Sequence, residues 1–475
     1  MAAIDITGAG GGITNVTGTS PVVVTIVGTA RDVSLDQTEF KTINGNSIFG
    51  VGNIVIATGL TNWTEAFNSG TQATSSFTAT NAATNVNAAL VPKGTGAIVA
   101  QIPDGTITGG NARGDQAVDL QMNRSVSNQV ASGEFSIIGG GAENRASARL
   151  AAVLSGAGNR VLDENSVICG GVLNLINASS VYHNVITGGI SNTITSGTGG
   201  RCFIGAGESN VFSGNVRNSS ILAGSTNTIN GGNYGAILSG QNHNLSGTNN
   251  TIIGGDANTV AGFYNVCSGS SNTVGAFFNC GVFGDSNTTS ANGTYILGDS
   301  NTASAQYAQA KGLRSNAYLY GQKAHANGRF TITGDAQGSE AILRLVDGFT
   351  DAQTKEIYLD GSSLRITGPT NSAMTVNIDI VAIVTAISGT ATGVTVGDMF
   401  SQNEICAYKN IAGTGTVVGS QSIQKLHDAS MAACDTAFAT TGAALQVFFT
   451  GPNFAGGGTV TLRIVAKARI VETRY

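Results

Sequence analysis

Short apolar segments recur at a nearly regular interval between residues 135 and 321. Each segment ends in glycine, an asparagine usually follows three residues later, and threonine and another apolar residue often come next. The first segment is SIIGGG at 136–141, and the last is GTYILG at 293–298. Successive repeats lie 14 to 18 residues apart. His243 takes the asparagine position once, and the other positions are Asn144, Asn159, Asn174, Asn192, Asn210, Asn227, Asn258, Asn272, Asn287 and Asn301.

The repeat interval predicts a parallel β-solenoid. Helical repeats need about 33 residues or more, whereas two short strands and two turns need about 14 to 15. Glycine can adopt a positive φ at a corner of the coil. Asparagine can bond the equivalent asparagine of the next coil, so these residues form the expected structural ladder. Eleven coils stacked about 4.8 Å apart would give a column of about 50 Å.

The narrow coil predicts association between chains. Two short strands enclose little core, so a single column would leave one apolar face in water. Three chains around a threefold axis are the simplest arrangement that covers such a face. The choice of three chains also depends on a resemblance to known proteins, which is based on the motifs described next.

The repeat resembles the left-handed parallel β-roll heads of trimeric autotransporter adhesins. The closest stretch is YAQAKGLRSNAYLYGQKAHANGRF at 307–330, where Ala-x-Ala and Gly recur with the same step. The resemblance implies a left-handed roll and a homotrimer.

Segments outside the repeat resemble those of bacteriophage tail fibres and tailspikes. FKTINGNSIFGVGNIVI at 40–56 is similar to a phrase of phage tail proteins, with Ile48 and Phe49 where that phrase has Leu-Leu. PKGTGAI, PDGT and GGNARGDQAVDLQ at 92–121 resemble the lead-in to a β-roll, and IYLDGSSLRITGP at 357–369 resembles the segment that follows it. The order of these segments implies a receptor-binding phage fibre or tailspike.

The pattern predicts an all-β chain with four parts. Strands of period 2 after residue 330 predict a C-terminal β-sandwich of the jelly-roll kind. The longer repeats between Asn174 and Asn227 predict loops or wider coils. Residues 426–439 leave a short helix open as an alternative to strands. The predicted parts are an N-terminal β region for virion attachment (1–60), a small β linker domain (61–103), the roll shaft (104–329) and the sandwich tip (330–475).

Composition excludes several classes of protein. Charged residues make up only 11% of the chain and the formal net charge is −5, with no basic run for nucleic acid. Apolar residues make up 41%, which argues against disorder. We find no apolar stretch that would span a bilayer and no leader-like pattern at 1–12, so we expect synthesis in a host cytoplasm and a final place in the virion tail.

The cysteines predict neither a metal site nor a redox motif. No Cys-x-x-Cys pair is present, and no histidine lies at zinc-finger spacing. We expect small buried thiols, with one or two disulfides as the alternative, and no cofactor. The six positions are Cys169, Cys202, Cys267, Cys280, Cys406 and Cys434.

Three aspartates are the candidates for chemistry. Asp285 and Asp299 occupy the same position of adjacent GDSN repeats, and Asp256 has that position two coils earlier. Stacked carboxyls would lie near the separation that a retaining glycosidase needs, about 5 to 5.5 Å. The position is a turn, where aspartate favours backbone bonds and where nothing separates two pKa values into acid and nucleophile. We expect turn chemistry, with cation or glycan contact and catalysis as alternatives.

Aromatic residues near the starts of the apolar segments form a second candidate. Outward-facing rings would make a stripe for stacking on sugar rings, whereas inward-facing rings would serve the core or an interface between chains. Both alternatives remain open, with packing or interface favoured. The aromatic residues that we single out are Tyr182, Tyr234, Tyr264, Phe278 and Tyr295.

These observations predict a structural virion protein that acts as an adhesin. The expected partners are two further copies of the chain, phage tail, baseplate or adaptor proteins at the N-terminus, and host surface polysaccharide or lipopolysaccharide. We expect no nucleic acid, no membrane insertion, no metal and no catalytic residue. The alternatives are a polysaccharide-depolymerising tailspike and a purely structural tail or collar protein.

Overall fold

The computed structural model divides into two compact units, residues 1–89 and 90–475. In the first unit, Trp63–Asn68 pairs antiparallel with Thr74–Ala79. The predicted attachment region, residues 1–60, lies outside the described residues. The structure describes residues 63–68, 74–79, 89–178, 183–195, 197 and 200–475.

The second unit begins with a parallel β-solenoid, as the repeat predicted. Its strands form two sheets, with fifteen strands in the first roll sheet and twelve in the second among the described residues. The inward residues stay in register from coil to coil, although a few strand pairs contain a bulge, as Thr251–Asp256 does with Val266–Ser270. Val266 pairs with Gly281, for example, and Gly281 pairs with Tyr295. The column is therefore longer than the eleven coils expected from the repeat.

Most strands of the roll are only two residues long. The first roll sheet consists of Ile98–Val99, Val118–Asp119, Ile137–Ile138, Ala152–Val153, Val167–Ile168, Val185–Ile186, Phe203–Ile204, Ser220–Ile221, Ala236–Ile237, Thr251–Asp256, Val266–Ser270, Gly281–Asp285, Tyr295–Asp299, Gln309–Leu313 and Lys323–Asn327. The second consists of Arg145–Ala146, Arg160–Val161, Leu175–Ile176, Thr193–Ile194, Val211–Arg217, Thr228–Asn233, Asn244–Leu245, Thr259–Phe263, Thr273–Phe278, Thr288–Thr289, Thr302–Ala303 and Asn316–Ala317.

The core of the roll is a double column of small and medium side chains. Each coil typically points one residue inward from each sheet, such as Ile252 from the first and Val260 from the second, and both are fully buried. A fully buried side chain of this size contributes about 1.5–3 kcal/mol. One coil therefore gains only a few kcal/mol, and the roll depends on the stacking of many coils.

Glycines form one corner of the roll because the coils approach closely there. Gly269, Gly284 and Gly298 are in register and all have positive φ, with Gly284 at +118°. A Cβ atom on Gly284 would collide with the carbonyl oxygen of Gly298. The sequence places glycine in these coils because no other residue fits.

The repeated asparagines lie buried beside the glycine corner. Asn272 donates from Nδ2 to Oδ1 of Asn258 at 2.9 Å and to the carbonyl oxygen of Gly284 at 2.7 Å. Its own Oδ1 accepts the backbone N–H of Asn287 at 3.0 Å. Each of these side chains thus links neighbouring coils through bonds that water does not reach.

A second polar column at the opposite corner was not predicted. The backbone N–H of Asn265 donates to Oδ1 of Asn250 at 2.9 Å, and that of Cys280 donates to Oδ1 of Asn265 at 2.8 Å. Asn184 likewise accepts the N–H of Cys202 at 3.1 Å. Serine, cysteine, glycine and threonine replace asparagine in other coils, so no single residue type reveals this column.

Two antiparallel sheets follow the roll. The larger contains, in spatial order, Ala336–Phe349, Gly458–Arg474, Ser372–Gly389, Met399–Ile411 and Thr414–His427. In the smaller, Ala444–Thr450 pairs on one side with Asp435–Thr441 and on the other with both Thr354–Ile357 and Ile366–Thr367. Phe400 of the larger sheet packs edge-on against Phe449 of the smaller, with ring centroids 5.5 Å apart. The two sheets share one buried core.

The helix left open for residues 426–439 is not present. That segment contains the end of Thr414–His427, a single 3-10 turn at Ala429–Met431, and the start of Asp435–Thr441. In the part of the chain that the structure describes, no helix has the length and apolarity to cross a membrane.

The roll continues directly into the larger C-terminal sheet. Its last strand, Lys323–Asn327, pairs antiparallel with Ala336–Phe349, so that Lys323 lies opposite Glu340 and His325 opposite Gly338. This pairing fixes the end of the roll against the C-terminal strands.

Candidate binding surfaces

The outer side of the first roll sheet carries large apolar side chains in several coils, with small or polar residues such as Thr187 and Ser268 between them. Leu222, Leu238 and Ile253 directly follow Ile221, Ile237 and Ile252, which are in register in consecutive coils. Six large apolar side chains at this position are 39–48% exposed in the single chain. We define the outer apolar face by Leu120, Leu154, Leu222, Leu238, Ile253 and Leu297, which together extend over about 50 Å at about 4.8 Å per coil.

Exposed aromatic rings lie at the corner where the chain passes from the second roll sheet to the first. We define the aromatic corner as Tyr234, Phe263, Tyr264, Phe278 and Tyr307. Its three tyrosines are 58–59% exposed. Phe263 and Phe278 stack with ring centroids 5.1 Å apart and planes inclined by 10°. The corner thus presents ring faces and edges to solvent on a rigid backbone.

The backbone at this corner is unfavourable for tyrosine. Tyr234, Tyr264 and Tyr307 have φ between 56° and 60°, a conformation that costs about 1–2 kcal/mol for residues other than glycine. Asn249 and Gly293, which tolerate positive φ, occupy the same position of other coils. Phe135 and Leu150 have positive φ at this position as well, so the strain belongs to the corner of the coil and the fold does not require tyrosine there.

The four tyrosines singled out from the sequence do not form one stripe. Tyr234 and Tyr264 belong to the aromatic corner. Tyr295 lies on the outer side of the first roll sheet, opposite Gly281, and its ring centroid is 5.8 Å from that of Phe283. Tyr182 lies outside the described residues.

Sequence reasoning missed Phe263 and Tyr307 as corner residues. The number of residues between each aromatic residue and the next inward residue could have identified the corner tyrosines. Tyr234, Tyr264 and Tyr307 each precede an inward residue by three positions, namely Ile237, Cys267 and Ala310.

The three candidate aspartates lie at the C-terminal ends of strands in the first roll sheet. Asp285 is directly opposite Asp299 in the neighbouring coil, and Ser270 separates Asp285 from Asp256. Asp285 and Asp299 are exposed. Asp256 accepts a bond from Nδ2 of Asn242 at 3.0 Å, and Asp299 accepts one from the hydroxyl of Ser300 at 2.6 Å. The register brings two carboxylates together, but at exposed strand ends and not in the turn that the sequence predicted.

Two buried carboxyls have raised pKa values, and neither belongs to this aspartate column. Burial raises the pKa of Asp163 to about 6, although the carboxyl accepts the backbone N–H of Ala178 at 2.7 Å. Burial also raises the pKa of Glu404, which accepts a bond from the hydroxyl of Thr436. Within the described ranges, no cluster of three histidine, cysteine or acidic side chains is arranged to hold a metal ion.

All six cysteines are free thiols, so the disulfide alternative is not what the structure contains. Cys169 is half-buried and the others are buried. Burial raises the pKa of Cys267, Cys406 and Cys434 to about 12. Thiols of this kind are unreactive and serve as small core residues.

The fold defines the chain as a parallel β-solenoid protein, and comparison with known proteins agrees. Residues 213–312, about a fifth of the chain, match the family model of the grass antifreeze beta roll. No curated protein matches the sequence. The match covers the most regular part of the roll and supports the β-roll description.

Two solved structures with a likeness to this chain are both phage tailspike proteins. The tailspike of Acinetobacter baumannii phage AM24 is 10% identical, with a TM-score of 0.21, and the match covers 75% of this chain and 67% of that one. The tailspike of Acinetobacter phage vB_ApiP_P1 is 9% identical, with a TM-score of 0.18, and the match covers 76% and 82%. At these TM-scores neither likeness carries an argument about function.

Proposed function

We propose that the chain is one subunit of a homotrimeric bacteriophage tail fibre or tailspike that binds a host surface glycan without cleaving it. The observation that carries this proposal is the outer apolar face. Soluble monomers rarely expose contiguous apolar patches of more than a few hundred Å². Three rolls packed around a threefold axis would remove this face from water, and the sequence resemblance to trimeric β-rolls supports that number.

The rest of the proposed particle follows the order of the chain. Residues 1–60 dock to phage tail, baseplate or adaptor proteins. The roll winds left-handed, as in the heads that it resembles, and the two C-terminal sheets form a β-sandwich tip. The trimer belongs to the virion tail and meets lipopolysaccharide or another surface polysaccharide of the host.

The aromatic corner is the proposed glycan-binding surface on the shaft. Sugar rings have apolar faces that pack against tyrosine and phenylalanine, while the phenolic hydroxyls can bond sugar hydroxyls. The rings project from backbone that is fixed by the coils on both sides, so binding costs little ordering of the protein.

Binding to glycan from a susceptible host tests the proposal. The Tyr234→Ala, Tyr264→Ala double variant should bind more than about tenfold more weakly, which corresponds to about 1.4 kcal/mol. Asn249→Ala is the matched control, because it changes the same corner position without removing a ring. Unchanged binding by the double variant would exclude the aromatic corner, and no binding by the unaltered protein would favour a purely structural tail or collar protein.

The absence of catalysis is part of the proposal. The exposed strand ends at Asp285 and Asp299 lack the enclosed environment in which an acid and a nucleophile acquire separate pKa values. Incubation with host polysaccharide should therefore release no reducing ends. Release that disappears in the Asp285→Asn variant would instead establish a depolymerase, the first alternative.

One observation favours a second candidate function, ice binding. Thr259, Thr273, Thr288 and Thr302 are in register on the outer side of the second roll sheet, within the region that matches the grass antifreeze beta roll. A regular column of hydroxyl and methyl groups is a surface that could order water. We expect no thermal hysteresis from the purified protein, and hysteresis that is lost in Thr273→Tyr would support ice binding.

A further inference from the structure

A cleft of about 760 Å³ lies where the last coils of the roll meet the C-terminal strands. Asn316, Tyr318 and Tyr320 line it from the roll, and Arg365 and Arg474 line it from the C-terminal part. We call it the junction cleft. Its volume is typical of sites for small ligands, and its lining combines aromatic and apolar groups with a few polar ones.

Arg474 brings an unused hydrogen-bond donor to this cleft. Its Nε donates to Glu472 at 2.5 Å, and its guanidinium carbon lies 5.2 Å from the ring centroid of Tyr318. Only 9% of the side chain is exposed. Nevertheless its Nη2 atom has no hydrogen-bond partner among the described residues. Buried guanidinium groups normally use their donors, so this atom points to a ligand.

Asn316 supplies an unused acceptor on the same cleft. Its Oδ1 atom is buried and has no hydrogen-bond partner within the described part of the chain. Its backbone is fixed, because its N–H donates to Oε1 of Gln337 at 2.8 Å and its carbonyl accepts Nε2 of Gln337 at 2.9 Å. The residues that line this cleft thus include a buried acceptor and a buried donor, neither of which has a hydrogen-bond partner among the described residues.

The aromatic wall of the cleft is also fixed. The hydroxyl of Tyr318 donates to Glu472 at 2.5 Å, and burial together with that carboxylate raises the pKa of Tyr318 well above its usual value. Tyr320 meets Tyr307 of the aromatic corner edge-on, with ring centroids 5.6 Å apart. The aromatic corner therefore leads into the junction cleft, and a chain of sugars along the corner would reach it.

We propose that the junction cleft binds an acidic sugar residue, such as a uronate, of the surface glycan. Nη2 of Arg474 donates to the sugar carboxylate, Oδ1 of Asn316 accepts a sugar hydroxyl, and the tyrosines pack against the ring. This inference rests on the proposed function in one respect, that the ligand is a surface glycan. The carboxylate is the feature that selects one sugar over its neutral counterpart.

The charges around the cleft predict modest affinity at each site. Glu472 already balances Arg474, and Glu356 balances Arg365 through bonds of 2.6 and 2.9 Å. An incoming carboxylate therefore gains directed hydrogen bonds but no large excess of positive charge. A repetitive polysaccharide that engages several copies of the site would bind far more tightly than a single sugar.

The full-length protein can be probed with the methyl glycosides of glucuronic acid and galacturonic acid. Each is compared with its neutral counterpart, the methyl glucoside or the methyl galactoside. Saturation-transfer NMR with competition should show that at least one acidic glycoside binds and that its neutral counterpart binds at least tenfold more weakly. Arg474→Gln should abolish binding of the acid. Asn316→Asp should do the same by placing a carboxylate in the cleft, and its backbone bonds to Gln337 do not depend on the replaced amide.

Arg469→Gln is the matched control, since Arg469 lies on the same strand, pairs with Asp379 at 2.8 Å, and does not line the cleft. Binding of neither acid, equal binding of acid and neutral sugar, or binding that survives both cleft variants would overturn the inference. Should Arg474→Gln fail to fold, Asn316→Asp decides alone. The protein could bind host glycan through the corner tyrosines and yet bind neither acidic glycoside. That result would refute the proposed role of the junction cleft but not the proposed function.

Discussion

At the scale of single residues, the roll depends on side chains that join one coil to the next. Asn272 is completely buried, and its amide contacts the coils before and after its own. Removal of that amide leaves several buried backbone and side-chain groups without partners, each at a cost of about 1–3 kcal/mol. The ladder is therefore a major determinant of stability, although it contributes little apolar area.

Replacement of Asn272 by alanine should lower the unfolding free energy by several kcal/mol for this reason. Thr273→Ala is the matched control, because Thr273 is the exposed neighbour on the outer side of the second roll sheet. Urea unfolding followed by circular dichroism measures both changes. A loss from Asn272→Ala as small as that from the control would show that the ladder does not hold the coils together.

His243 makes the ladder sensitive to pH. Its backbone N–H donates to Oδ1 of Asn227 at 3.1 Å. Its ring Nδ1 accepts the backbone N–H of Asn258 at 3.1 Å. Burial lowers the pKa of His243, and the opposing effect of Asp256 is smaller. A histidine whose folded pKa lies below the unfolded value of about 6.5 stabilises the fold above that pH. Its contribution is lost as the pH falls through the folded pKa.

The His243→Asn variant should therefore lose less stability than the unaltered protein between about pH 7 and about pH 5. Asparagine restores the residue type of the other coils and carries no proton. Melting temperatures of both proteins across this range give the comparison. Parallel pH profiles would contradict the assigned role of His243.

The sequence revealed the residues of one corner but not those of the other. Asn144 to Asn301 could be found because one residue type recurs beside glycine in nearly every coil. The column of Asn184, Asn250 and Asn265 was hidden because several residue types occupy its position, and serine accepts the backbone N–H of the next coil at Ser166 and Ser219. The corner tyrosines were only partly found, since their position depends on where each inward side chain lies.

At the scale of elements, one coil is the unit of the fold. Gly281 pairs with Tyr295, so 14 residues separate equivalent positions of these coils. This period predicts that strands are present and that they form a parallel solenoid. It does not predict the lengths of the strands, because the corners need tight turns that shorten many of them to two residues. The C-terminal strands were harder to predict, since their pairing joins distant segments such as Ala336–Phe349 and Gly458–Arg474.

Deletion of one complete coil, residues 281–294, should leave a folded protein with only a small decrease in melting temperature. Val266 would then pair with Tyr295 in the original register, and Asn272 would meet Asn301 across the new junction. Deletion of residues 281–287 is the control, because it removes half a coil and turns inward side chains outward. Equal damage from both deletions in thermal melts would argue against coils as independent units.

At the scale of the whole molecule, the single chain leaves its outer apolar face in contact with water. The roll buries its inner columns by itself, but Leu222, Leu238 and Ile253 remain partly exposed in the single chain. The sequence predicted this exposed face from the narrow coil. It did not predict the junction cleft, because Arg474 and Asn316 are 158 residues apart and meet only when the last roll strand pairs with the C-terminal sheet.

Leu238→Asp should dissociate the proposed trimer, since it would place three carboxylates in an apolar interface. Thr259→Asp, on the outer side of the second roll sheet, is the control and should leave the assembly intact. Size-exclusion chromatography with light scattering distinguishes the two results. A Leu238→Asp protein with the same mass as the control would exclude the outer apolar face as the interface.

Sedimentation equilibrium of the unaltered full-length protein at neutral pH tests most directly whether three rolls cover one another. The proposed fibre predicts a single species with three times the mass of the chain, and that mass should persist on dilution. A folded species with the mass of one chain, stable over the same concentrations, would contradict the trimer and the adhesive fibre that is built on it.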